Sequence, residues 1–253
     1  MQRQKARWLR SYSYIDAFAS VGTYLDPEIA EYVDGSPFVA LRCEPPFDEF
    51  WFVELSQGRL QNLRARVEAE CPSCIAHFHQ ADANRVLQDE IARQITYESR
   101  RRGFVFLDPY GLEVDLQTVE RLSKARAFDV FINFSTMGIT RLLGRDELPD
   151  AQKSAILDRV MGDTAWIDAL YARQPDFFGG EAVSRGPLDP LAVAGRYPHQ
   201  VRKLFPHVSE AVLMSNSRNV PLYVLFLASH NQTAVRITND IFKRFERLRV
   251  QQR

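Results

Sequence analysis

The sequence predicts an α/β fold: a mostly parallel central sheet with helices on both faces, a closing hairpin and a helical insertion. Three observations lead there. Short apolar runs alternate with longer segments of helical spacing, the pattern of repeated βαβ units. Runs such as FVFL (104–107) are apolar without interruption, as in strands covered on both faces. Acidic or polar residues follow successive strand-like runs, where an open parallel sheet gathers its ligands.

Tyr12–Phe18 alternates and reads as a strand, and Pro37–Arg42 reads as either a strand or a helix start. FWFVEL, Phe50–Leu55, is a strand. Gln57–Glu70 carries Leu60, Leu63 and Val67 at helical spacing. Ile75–His79 is a short strand, and Asn84–Arg101 a helix with Val86, Leu87, Ile91 and Ile95 on its inner side. Phe104–Leu107 is a strand, Leu116–Ala125 a helix and Asp129–Phe134 a strand. Residues 144–195 break this rhythm. Two charged helical stretches, Ala151–Val160 and Thr164–Arg173, precede Phe177-Phe178-Gly179-Gly180 and a run holding Pro187 and Pro190. The segment reads as a helical insertion or lid within one domain spanning 1–253. Ala211–Met214 and Leu222–Ala228, joined by 215–221, form the closing hairpin, and Val235 to Arg247 a last helix.

Composition narrows the classes. The 253 residues include 17 Phe, 9 Tyr and 3 Trp, enough for a sizeable core. Formal net charge is zero, so the global basic excess of many nucleic-acid binders is missing. Basic residues still cluster locally, at Arg3, Lys5, Arg7 and Arg10, at Arg100-Arg101-Arg102, and from Lys243 to Arg253, and the ordinary reading is solvated helix ends. No apolar run approaches ~20 residues, so no membrane span is expected. Three cysteines without a secretory signal point to reduced thiols and a cytoplasmic setting. Cys71-Pro72-Ser73-Cys74, with His77 and His79 close by, is too crowded for the usual zinc spacing, and no metal site is expected.

The chemistry-bearing residues fall at four strand ends. Asp16 and Gly22 follow the first strand, Glu54 ends the second, Asp82-Ala83-Asn84 follows the third, and Asp108-Pro109-Tyr110-Gly111 the fourth. A carboxylate ending the second strand can accept from both hydroxyls of a ribose. A glycine turn after the first strand lets backbone approach a ligand. The set Asp16-x-Phe18-x-Ser20-x-Gly22, Glu54, Asp82-x-Asn84 and Asp108-Pro109-Tyr110-Gly111 resembles the S-adenosylmethionine motifs of Rossmann-like methyltransferases. More narrowly, YIDAFA, FWFVEL, ADAN, FLDPYG, DVFINFS and PLYVLFLASH resemble the three-Cys-motif partner family, whose members occur beside a radical-SAM-like protein with a three-cysteine motif. The likeness covers most of the chain and is weakest in 144–195.

That resemblance implies a Rossmann-like methyltransferase fold with S-adenosylmethionine as cofactor. Ala19–Gly22, including Ser20, would cradle its methionine part, with Asp16 and Phe18 beside the loop. Glu54 would hold the ribose, and Asp82 and Asn84 would flank the adenine. Asp108, Pro109 and Tyr110 would face the methyl acceptor. DPYG is similar to the motif of amino-methylating nucleic-acid enzymes, which makes a nucleobase one expected acceptor. Two departures stand out: Ser20 replaces the first glycine of the loop, and only about ten residues precede the first strand, where the family usually carries a helix. A second function class therefore stays open, a non-catalytic partner that keeps the fold and docks onto another protein. NAD chemistry is disfavoured, because no GxGxxG follows the first strand. Each residue also has a purely structural reading: Asp16 and Asp108 as helix caps, Glu54 paired with Arg59 or Arg64, Tyr110 in the core, Ser135 capping the helix after DVFINF.

Overall fold

The computed structural model describes residues 8–26, 31–144, 147–175, 181–184, 190–216 and 218–251. They divide into two compact units, one within Met1–Asp108, Arg121–Phe131 and Ser229–Ala234, the other within Pro109–Glu120, Ile132–Ala228 and Val235–Arg253.

The first unit begins with β1 (Ser11–Asp16), then a two-stranded antiparallel ribbon, β2 (Thr23–Asp26) and β3 (Glu31–Asp34), which the sequence did not announce. Next come α1 (Ser36–Leu41), β4 (Glu49–Val53), α2 (Gln57–Glu70) and β5 (Ala76–His79). A helical stretch follows: α3 (Ala83–Arg85), a π-helical turn (Val86–Ile91) and α4 (Ala92–Gln94). Then come β6 (Arg101–Leu107), α5 (Leu116–Lys124), whose first residues belong to the second unit, and β7 (Phe128–Ser135), whose last residues do. β1 pairs in parallel with β4 on one side and β6 on the other, and β4 pairs in parallel with β5. In the register, Asp16 stands level with Phe52 and Phe106.

All five residues of β4 are buried, as a strand covered on both faces requires. Beneath it, Tyr14, Phe38, Phe50, Phe52, Leu63 and Val67 pack into one cluster. α2 contributes Leu63 and Val67, the spacing read from the sequence. Pro37 in the first turn of α1 settles the ambiguity of Pro37–Arg42 in favour of a helix, since proline suits a first turn and lacks the ladder N–H.

The second unit holds the rest of β7, then α6 (Thr136–Leu142), α7 (Ala151–Met161), α8 (Trp166–Leu170), β8 (Ala172–Pro175), β9 (Glu181–Ser184), α9 (Pro190–Leu204), β10 (His207–Val208), β11 (Val212–Ser215), β12 (Pro221–Ser229) and α10 (Gln232–Gln251). β11 and β12 form the antiparallel hairpin expected at the end of the sheet. The strand order is β10-β12-β7-β6-β1-β4-β5 with β11 on β12, a mostly parallel central sheet with helices packed against it. Its β5-β4-β1-β6-β7 portion has the 3-2-1-4-5 order of the Rossmann-like class.

Several expectations need correction. The helix placed over Asn84–Arg101 ends at Gln94, because Thr96 and Ser99 lock a turn by reciprocal hydrogen bonds of 3.0 and 3.1 Å, and Arg101 already pairs with Ser11. The insertion is not all helical. α8 stops at Leu170, Tyr171 is extended with its hydroxyl donating to the Gly144 carbonyl (3.0 Å), and β8 and β9 then pair antiparallel. Phe177 to Gly180 and Pro187 lie outside the described residues, and Pro190 starts a helix that tolerates Pro198 inside it. Cys71 and Cys74, expected as reduced thiols, are joined in a disulfide; the turn that brings the Cys74 N–H to the Cys71 carbonyl (3.0 Å) sets their Cα atoms 5.4 Å apart, within bonding range. Cys43 is free.

Among the described residues no helix is long and apolar enough to cross a membrane, and no group of three or more His, Cys, Asp or Glu is arranged to hold a metal ion.

Candidate functional site

The chain runs outward from β1 to β4 and β5, then crosses back to β6 on the other side of β1, so the strand order reverses between β1 and β6. The carboxyl ends of β1 and β6 therefore flank the topological switch point, where open α/β sheets take their ligands. Asp16 ends β1, and Asp108 follows β6 directly.

The loop after β1 is tied to both neighbours. The Ala17 N–H donates to the Phe106 carbonyl (3.2 Å) and the Ala19 N–H to the Val53 carbonyl (3.0 Å). Asp16 is fully buried. Its carboxylate accepts from the Ser36 hydroxyl (2.6 Å), the Tyr14 hydroxyl (3.1 Å) and the Phe18 N–H (3.3 Å). Burial raises its pKa from 3.8 to about 6; those three donors oppose the rise, and the like charge of Asp108 adds to it. It does not cap a helix.

Ser20 sits at φ 51, in the left-handed region that serine's Cβ disfavours. The position thus holds a backbone conformation that glycine adopts without cost. What holds it there is Glu54: one carboxylate oxygen accepts from the Ser20 N–H (3.1 Å), the other from the Ser56 N–H (2.8 Å). Arg59 stands 3.9 Å from that carboxylate on an exposed side chain, so the pairing with Arg59 is present but weak.

Gly22 also has positive φ, 73°. A Cβ there would lie 2.4 Å from the Phe38 ring and 2.9 Å from Leu63, so this glycine opens space for the core. Phe18 is half-buried and Ala19 buried. Asp82 caps α3, accepting from the Arg85 N–H (3.0 Å), and Asn84 is buried one residue into that helix. Asp108 is exposed. In the second unit Pro109 is buried and Tyr110 is 94% exposed, so Tyr110 is not a core residue. Ser135 does cap α6, accepting from the Gly138 N–H (3.0 Å).

Within the first unit, then, direct contacts join Asp16 to Phe18 and Ser20 to Glu54, and Asp108 bears on Asp16 through its charge. Asp82 and Asn84 belong to the start of a helix instead. Sequence reasoning missed Tyr14, Ser36 and Ser56 as partners of the acids. Tyr14 was within reach, two residues before Asp16 and so on the same face of β1. Nothing in the sequence points from Asp16 to Ser36.

No family model and no curated protein matches the chain. Among solved structures, it is similar to an S-adenosylmethionine-dependent methyltransferase from Clostridium acetobutylicum, at 13% identity over 88% of this chain and 86% of that one, TM-score 0.38. It is also similar to a protein from Listeria monocytogenes assigned to the same enzymes, at 9% identity over 88% and 92%, TM-score 0.45. A spermidine synthase from Thermotoga maritima is similar too, at 10% identity over 87% of this chain and 53% of that one, TM-score 0.42. Such likenesses do not decide a reaction; the fold rests on the chain's own strand order.

The acids at these strand ends offer hydrogen-bond acceptors and negative charge. In S-adenosylmethionine the ammonium, sulfonium, diol and exocyclic amine are cations or donors that these acids suit, whereas its carboxylate needs donors such as the backbone N–H groups of the loop after β1. Each oxygen of Glu54 accepts one backbone N–H and keeps a further lone pair.

Proposed function

We propose that the chain is a methyltransferase-like protein that binds S-adenosylmethionine at the carboxyl ends of β1, β4 and β6. The observation that supports this most is the Glu54–Ser20 link, in which an acid ending the second strand fixes a left-handed loop after the first. Glu54 would hold the ribose diol, and Ala19, Ser20 and Gly22 would line the methionine part, with Asp16 behind them. Asp82, besides capping α3, and Asn84 would flank the adenine. The cofactor supplies an electrophilic methyl group; the chain's own residues bind, orient and exclude water. Asp108 would accept an N–H hydrogen bond from an amino acceptor, for which a nucleobase amine is the preferred class.

Titration with S-adenosylhomocysteine by calorimetry tests this reading. Binding in the micromolar range, lost in Glu54→Ala and weakened in Glu54→Gln, is the expected result. Absence of binding at millimolar ligand would overturn it and favour a fold-retaining partner that docks onto another protein, a radical-SAM-like three-cysteine-motif protein being the candidate the resemblance supplies. Both oxygens of Glu54 already serve backbone N–H groups, and that is the feature which keeps this second reading in view.

A further inference from the structure

The amino ends of β1 and β6 carry a cluster that the proposed site does not use. The Arg10 N–H donates to the Arg100 carbonyl (2.8 Å) and the Tyr97 N–H to the Ala125 carbonyl (3.0 Å), stitching three chain segments together. The Arg102 guanidinium lies 4.8 Å from the centre of the Trp8 ring and 4.5 Å from that of Tyr97. Its Nη1 also donates to the Arg101 carbonyl (2.7 Å), so two rings and a backbone group hold it in place. Arg126 approaches Tyr97 at 5.5 Å, and the two rings are 5.8 Å apart.

An aromatic kept only to anchor a segment would be buried, as Trp51 and Trp166 are at 3% and 1% exposure. Trp8 and Tyr97 instead remain 42% and 49% exposed. Arg100 and Arg126 hold left-handed backbone at φ 58 and 54, a conformation arginine rarely adopts. Arg10 and Arg100 are exposed. The sequence before Trp8 adds Arg3, Lys5 and Arg7 with no acid among them.

Cations packed against half-exposed rings match one chemistry: phosphates for the arginines and unpaired bases for the exposed parts of the rings. A duplex hides its base faces, and an acidic peptide has no use for the exposed rings. We propose that this edge binds single-stranded nucleic acid, with bases stacked on Trp8 and Tyr97 and phosphates on Arg10, Arg100 and Arg126. The assignment does not depend on the methyl-donor reading.

Fluorescence anisotropy with a short labelled oligouridylate tests it. Trp8→Ala and Tyr97→Ala are each expected to weaken binding roughly tenfold or more. Trp8→Phe and Tyr97→Phe, which keep a ring, should retain most of the affinity and so separate stacking from misfolding. Three phosphate contacts predict that the logarithm of affinity falls with the logarithm of salt at a slope of about −2. Trp8 is the exposed tryptophan of the three in the chain, so the oligonucleotide should quench intrinsic fluorescence in the native protein and not in Trp8→Phe. Absence of binding at low salt, or Trp8→Ala and Tyr97→Ala both binding as the native protein does, would overturn the proposal. So would inorganic polyphosphate binding as tightly as the oligonucleotide with no response to Trp8→Ala, which would assign the edge to bare polyanions.

Discussion

Asp16 and Glu49 are buried carboxylates on adjacent parallel strands, one at the carboxyl edge of the sheet and one at the amino edge, and their surroundings push them in opposite directions. Among the described residues Asp16 is met by neutral donors alone, Tyr14, Ser36 and a backbone N–H, and burial raises its pKa to about 6. Burial also acts on Glu49, but the Arg101 guanidinium, bound through both carboxylate oxygens at 2.6 and 2.7 Å, outweighs it together with Ser13 and Ser11 and holds the pKa below 4.5. A buried acid with a cation is a structural brace. One without a cation is left able to take up a proton near neutral pH, and such divergent pairs are how acid sites separate role from support.

The largest expected effect comes from breaking the brace. Glu49→Ala leaves Arg101 half-buried without its partner and should destabilise the protein by about 3–4 kcal/mol in urea unfolding. A loss under 1 kcal/mol would mean the pair is no brace at all. The pH dependence of the two acids should also differ in sign. The Glu49 contribution is present above about 4.5 and lost as pH falls through its depressed value. Asp16 binds its proton more tightly folded than unfolded, so its contribution is full below about 3.8 and lost as pH rises through about 6. That rise corresponds to about 3 kcal/mol. Stability measured from pH 4 to 7 should fall more steeply in the native protein than in Asp16→Asn, and parallel curves would remove the contrast.

A smaller effect sharpens the carboxyl edge alone. Ser20→Gly relieves a left-handed serine and should stabilise the fold by about 0.5–1 kcal/mol, read as a raised melting temperature. If its affinity for S-adenosylhomocysteine also rises tenfold or more, the serine Cβ intrudes where the ligand approaches. An unchanged affinity would leave the strain as a property of the loop's fold.

The strands β1, β4, β5, β6 and β7 and the helices α2 and α5 were legible because each is written in local periodicity, alternating or helical, that survives without knowledge of its neighbours. The ribbon β2–β3 and the hairpin β8–β9 were not, since their short runs carry no decisive pattern. The run holding Pro187 and Pro190 reads as part of the insertion without a helix of its own; α9 forms from Pro190, because a first helical residue needs no N–H, and continues past Pro198.

The sequence alone determined that acids follow successive parallel strands, because strand direction puts every carboxyl end on one edge. Only the tertiary structure decided what each acid touches. Ser36 reaches Asp16 from 20 residues away and Arg101 reaches Glu49 from 52, through crossovers whose register no local pattern records. Gly22 was readable as a turn, but the Phe38 ring that makes a side chain impossible there arrives only when α1 packs beneath it.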